Sequence, residues 1–196
     1  MKRRHLVRGI LAGLLVVATV IGAMELHRRQ VEDVEVAIGG PFSMLAHDGT
    51  RVTQDDLTGR RSLVFFGFTY CPDICPTTLV QVASWLQAME GKGDLIDAYF
   101  VTVDPERDSP ERMAEYVSYF SDRITGLVGT VDELRQMADS YRLYYARIDL
   151  EDGNYTMDHT AAIYLMDGDG TFFDAITMTA SFDEAVAKLT RLVEDG

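Results

Sequence analysis

The segment Ser62-Leu63-Val64-Phe65-Phe66-Gly67-Phe68 constrains this chain more than any other. It carries no charge over its whole length, so neither side of a strand built from it can face water, and it must be covered on both faces. Such a strand belongs in the middle of a sheet with helices above and below. Shortly after it come Cys71 and Cys75, with Pro76 directly following. From there Leu79, Val80, Val82, Ala83, Leu86 and Met89 recur at helical spacing, and Gly91 and Gly93 end the pattern. The cysteines therefore sit where a buried strand hands over to a helix.

The remaining segments alternate in kind. Residues 98–103 read as a second strand, and Ser109-Pro110 then starts a helix with Met113, Tyr116, Val117 and Phe120 along its apolar stripe. Thr130 and Glu133 form a capping box for another helix carrying Leu134, Met137, Ala138 and Tyr141. Three strands are expected at 144–150, 160–166 and 171–176, the last two joined through Asp167-Gly168-Asp169-Gly170. That acidic turn lacks the spacing and the distant Glu of a calcium loop. Ser181 and Glu184 cap a final helix with Ala185, Val186, Leu189, Leu192 and Val193. Ahead of all this, 42–45 and 51–53 flank the turn His47-Asp48-Gly49-Thr50, a favoured hairpin sequence that leaves His47 exposed beside it. The order predicts an α/β fold, a thioredoxin-like mixed sheet flanked by helices with an additional N-terminal β-hairpin. Fold class alone does not settle function.

The N-terminus reads as an address. Lys2, Arg3, Arg4 and Arg8 precede an uncharged run over 9–24 that reaches the lower limit for a membrane span, about 17 residues, once Leu26 is included. A cleaved signal peptide would need Ile21-Gly22-Ala23 as its exit site, which places a bulky residue where a small one is preferred. With no cysteine nearby, a lipid anchor is not expected. The basic residues before the run outweigh Arg28 and Arg29 after it, which puts the N-terminus in the cytoplasm. The expected organisation is a cytoplasmic basic segment at 1–8, a single transmembrane helix at 9–26, a tether at 27–38 and one domain at 39–196. The domain then faces the periplasmic, extracytoplasmic side of the inner membrane.

The formal net charge is -13, and the positive N-terminal segment makes the domain more acidic still. Nucleic acid is excluded as a partner, because phosphate neutralisation needs clustered Lys and Arg. Two cysteines four positions apart cannot staple a domain of this size, so they serve reactivity or metal ligation. Pro76 suits the first helical position and biases Cys75 away from helical geometry, which predicts a helix from Pro76 with both thiols in the loop before it. There the positive helix end lowers thiol pKa. The pair suits a soft ion such as Cu(I) and also suits disulfide exchange. His159 precedes the strand expected at 160, and in a thioredoxin-like sheet that position abuts the cysteine loop, so its imidazole is a candidate third ligand, oriented by Asp158. Peroxide chemistry fits poorly, since a Thr or Ser is required where Phe68 stands.

At these residues the chain resembles the SCO/SenC family. The resemblance runs from about residue 39 to the C-terminus. It rests on Gly67-Phe68-Thr69-Tyr70-Cys71-Pro72-Asp73-Ile74-Cys75-Pro76, on Val103-Asp104-Pro105-Glu106-Arg107-Asp108-Ser109-Pro110 and on Asp158-His159-Thr160, with Ser109 where Thr is frequent. It implies that Cys71, Cys75 and His159 are the ligands of a copper ion. It implies further a membrane-anchored metallochaperone for the binuclear copper site of a cytochrome c oxidase subunit, delivering copper or preparing that subunit's cysteines. The implied partners are that subunit, a copper-donating chaperone, a thiol reductant such as a thioredoxin-like protein, and the membrane. The loop 104–110 follows a strand at the same edge, so Asp104 or Arg107 is expected to shape the site or a docking surface, while Ser109 and Pro110 in it serve to start a helix. The competing reading is a thiol-disulfide oxidoreductase running on Cys71 and Cys75, which has no use for His159.

Overall fold

The computed structural model describes residues 37–196 and, ahead of them, only 19, 20 and 22. Among the described residues no helix is long and apolar enough to cross a membrane. Apart from 19, 20 and 22, the expected anchor at 9–26 lies outside the described residues, as does the tether up to residue 36.

The elements run β1 (Ser43–Ala46), β2 (Arg51–Thr53), β3 (Arg61–Gly67), α1 (Ile74–Ala88), β4 (Ile96–Thr102), α2 (Pro110–Ser118), β5 (Ile124–Val128), α3 (Val131–Tyr141), β6 (Tyr145–Asp149), β7 (Tyr155–His159), β8 (Ala162–Met166), β9 (Phe172–Thr177) and α4 (Phe182–Asp195). Seven strands form one sheet in the order β2-β1-β5-β4-β3-β8-β9, while β6 and β7 form a separate two-stranded ribbon. β3 pairs parallel with β4 and antiparallel with β8, and β4 pairs parallel with β5. The apolar run thus occupies the interior of a mixed sheet.

Alternation along β3 divides the core. Leu63 and Phe65 pack with Leu79, Val82 and Trp85 of α1, Met113 of α2 and Leu189 of α4. Val64 and Phe66 pack on the other face with Met137 and Tyr141 of α3 and with Phe42 and Met44. Phe65 and Phe66 are completely buried, and each contributes about 1.5–3 kcal/mol by leaving water. The expected caps form, with Ser109, Thr130 and Ser181 each accepting a backbone N–H of the helix it opens.

Two strands escaped the periodicity. β5 is short and contains Gly126, which in a strand pattern reads as a break. That glycine is needed because α2 lies directly on it: a Cβ there would fall 2.2 Å from Met113 Cγ. β7 was hidden because Tyr155, Thr156, Met157, Asp158 and His159 mix polar and apolar residues on a ribbon outside the main sheet. As a result the strand expected at 160 begins only at Ala162, and His159 ends β7. His47 is half-buried, not exposed: its Nδ1 accepts the Gly126 N–H at 2.9 Å and ties β1 to β5. In the turn before β9, Asp167 accepts hydrogen bonds from the amides of Asp169 and Thr171.

Candidate metal centre

The loop 68–73 leaves the C-terminal end of β3 and enters α1. The helix begins at Ile74 with Asp73 as its N-cap, two residues before the expected start. The first turn of a helix leaves its N–H groups unpaired, so Pro76 removes no hydrogen bond there, and its ring meets no carbonyl of an earlier turn. Cys75 consequently lies inside the helix and is fully buried, whereas Cys71 stays in the loop and is half-exposed. Both thiols are free. A missing side chain makes room for the buried one, since a Cβ on Gly67 would stand 2.8 Å from Cys75 Sγ and 2.5 Å from a Phe100 ring carbon.

The two sulfurs are electrostatically unlike. The hydrogen bond from the Cys75 thiol draws the Cys71 pKa down to about 5 against the desolvation of a half-buried group, with further help from the Cys75 and Asp73 amides and the charge of His159. The Cys75 N–H donates to Cys71 Sγ at 3.4 Å. Cys75 moves upward, held as a thiol by the hydrogen bond its S–H gives to Cys71, by burial and by the neighbouring thiolate. One accessible thiolate thus stands in front of one protonated, enclosed sulfur. Iodoacetamide should accordingly modify Cys71 ahead of Cys75, at a rate that rises with pH through a midpoint near 5 as the thiol becomes thiolate. Rates for both cysteines that climb together only above about pH 8 would contradict this assignment.

His159 reaches the same end of the sheet on β7. Its ring meets the Phe68 ring edge-to-face at 6.2 Å, and its Nδ1 lies 3.1 Å from the Thr160 carbonyl. A carbonyl can only accept, so Nδ1 carries the proton and Nε2 keeps the lone pair a metal needs. Asp158, expected to orient the ring, is exposed. The Thr160 carbonyl fills that role. Among the described residues no three His, Cys, Asp or Glu side chains are gathered into one metal-holding group. Cys71 and Cys75 are together, and His159 stands beside Phe68, where the ring favours the Cys71 thiolate when it is protonated and offers the Nε2 lone pair when it is neutral.

The loop after β4 frames the cysteines from the side. Buried Asp108 accepts from the Thr69 amide at 3.1 Å, the Thr69 hydroxyl at 2.6 Å and the Thr102 hydroxyl at 2.6 Å, which pins the cysteine loop to β4. Burial raises its pKa although these donors pull the other way. Asp104 is also buried and forms an ion pair with Arg107. The Arg107 guanidinium carbon lies 4.6 Å from the Tyr70 ring centre and 3.7 Å from that of Tyr155. The sequence points to Asp104 or Arg107 as shaping the site or a docking surface. It does not point to Thr69, Thr102 or Tyr155. Thr69 and Asp108 lie within quoted motifs, but nothing local marks Tyr155, whose hydroxyl donates to Asp104 across 51 positions.

The family model described as SCO1/SenC matches residues 30–194. The chain belongs to the SCO1/SenC family. This SCO1/SenC chain is 43% identical over 141 residues to the human protein SCO1 homolog, mitochondrial, covering 70% of the chain and 46% of the relative. It is 42% identical over 139 residues to the Arabidopsis thaliana protein SCO1 homolog 1, mitochondrial, covering 70% and 42%. The chain thus spans about half the length of these curated relatives. Among solved structures it is similar to Bradyrhizobium japonicum ScoI with copper bound, at 45% identity and a TM-score of 0.74, covering 80% of this chain and 99% of that one. Yeast Sco1 with copper bound matches at 36% identity and a TM-score of 0.76, covering 82% and 90%. The α/β mixed sheet with its flanking helices is therefore the thioredoxin-like Sco fold.

Proposed function

We propose that this chain is a copper chaperone of cytochrome c oxidase assembly, in which Cys71, Cys75 and His159 hold copper as cargo. The observation that carries the reading is the sulfur pair itself, an accessible thiolate at Cys71 backed by a buried Cys75 at the sheet end where β7 delivers an imidazole with its Nε2 lone pair available. Soft thiolates and imidazole match Cu(I), and structural relatives of this chain were solved with copper bound. Ligation by Cys75 requires loss of its proton, so metal binding releases protons and strengthens with pH. The cargo is handed to, or its cysteine ligands are prepared on, the binuclear copper site of an oxidase subunit. A copper-donating chaperone and a thiol reductant complete the cycle. In this proposal residues 9–26 anchor the chain in the inner membrane, 27–38 form a tether and 39–196 work on the periplasmic side.

X-ray absorption at the copper edge of the loaded chain tests the site directly. Two sulfurs and one nitrogen are expected around the ion. A shell without nitrogen, or with a single sulfur, would overturn the assignment. The same unequal pair also supports a second reading, thiol-disulfide exchange, in which Cys71 attacks and Cys75 resolves.

A further inference from the structure

The ribbon of β6 and β7 shares no ladder with the seven-stranded sheet. A lone two-stranded hairpin is marginal in water and must be held by side chains. The anchors converge on the loop between β4 and α2. Tyr155 Oη donates to Asp104 at 2.8 Å, and Arg107 Nη1 donates to the Tyr155 carbonyl at 3.0 Å. The Tyr155 ring is stacked by two guanidiniums, Arg107 and Arg147, each 3.7 Å from its centre. Arg147 of β6 in turn pairs with Glu106 at 3.1 Å. Arg107 is itself fixed by buried Asp104 and lies 5.8 Å from the centre of Phe68, the same ring that His159 touches. Tyr155 and His159 are four residues apart on one strand, so both face inward, and the inner face of β7 rests on a floor made by Arg107 and Phe68.

We propose that Arg107 is a positioning residue for the metal centre: braced by Asp104, it grips Tyr155 and so sets where the end of β7 holds His159 relative to the two cysteines. This rests on the copper reading of His159. The loop carrying Arg107 also pins the cysteine loop through Asp108 and Thr69. One loop therefore registers both halves of the ligand set, which come from segments more than eighty positions apart. Lysine cannot replace Arg107 here, since a point charge offers neither the planar stack nor the fork that reaches Asp104 and the Tyr155 carbonyl together.

Two readouts on the 196-residue chain test the assignment. In the metal-free protein, Arg107→Gln and Arg107→Lys should speed amide hydrogen exchange of β6 and β7 by about tenfold or more while β3 and β4 keep their protection. Tyr155→Phe, which keeps the stack but loses the bond to Asp104, should give a smaller increase. In the copper-loaded Arg107 variants, X-ray absorption should keep both sulfurs and lose nitrogen, with affinity down about 10–100-fold. Unchanged hairpin exchange, or an intact nitrogen at wild-type affinity, overturns the proposal. So does acceleration of β3 and β4 to the same degree, which would make Arg107 a general stability residue. If the wild-type chain itself shows no nitrogen at copper, the ligand assignment of His159 fails before any variant is made, and the positioning role falls with it.

Discussion

Cys71→Ser and Cys75→Ser are each expected to lower bound copper from about one ion per chain to under about a tenth of one after dialysis against a weak chelator. Serine is nearly isosteric, so the loop and α1 keep their shape, but a hydroxyl does not ionise near neutral pH and offers a hard donor to a soft ion. The Cys75 variant carries a second consequence. The Cys75 thiol is the largest cause of the low Cys71 pKa, so the remaining thiol should move back toward its ordinary range. His159→Ala separates the two functional readings. Copper delivery predicts loss of the nitrogen ligand and a weaker site, whereas disulfide exchange by Cys71 and Cys75 loses only the smallest of the supports for the Cys71 thiolate. A cell that assembles its oxidase normally with His159→Ala but not with Cys75→Ser would decide for the redox enzyme.

Gly67→Ala is expected to overpack the core directly beside the cysteine pair. It would place a carbon 2.5 Å from Phe100 and 2.8 Å from Cys75 Sγ, both completely buried. Neither neighbour has open space to retreat into, because Phe100 also packs against Phe65 and Tyr116. Overpacking of this kind costs about 1–3 kcal/mol. For a chain of this size that lowers the melting temperature by roughly 2–12 °C. The strain falls on the sulfur as well, so copper affinity should drop even at temperatures where the fold is intact. Thermal unfolding and copper titration of the variant check both effects, and wild-type values in both would show that the contact at Gly67 is not limiting.

Much of this architecture could be read one segment at a time. The uncharged run of β3 demanded cover on both faces, and Val64 and Phe66 indeed meet α3 while Leu63 and Phe65 meet α1, α2 and α4. Ser109, Thr130 and Ser181 announced their helices because a cap is a contact between residues three apart. Where two local signals compete, tertiary packing decides between them. Pro76 argued for a later helix start, yet the unpaired first turn tolerated it and Cys75 was drawn into the core. The strand β5 carries no such signal, because Gly126 interrupts its pattern where α2 packs directly on it.

By itself the sequence determined the central strand, the capped helices, the strand-to-helix position of Cys71 and Cys75 and the family, since each depends on spacing along the chain or on contiguous motifs. Tertiary structure alone decided that one sulfur is enclosed and the other open, that β5 completes the parallel core, and that Asp104 and Arg107 grip the ribbon bearing His159. These outcomes depend on partners such as Tyr155 and Asp104, 51 positions apart. Such encounters are set by how layers pack, and no local periodicity records them.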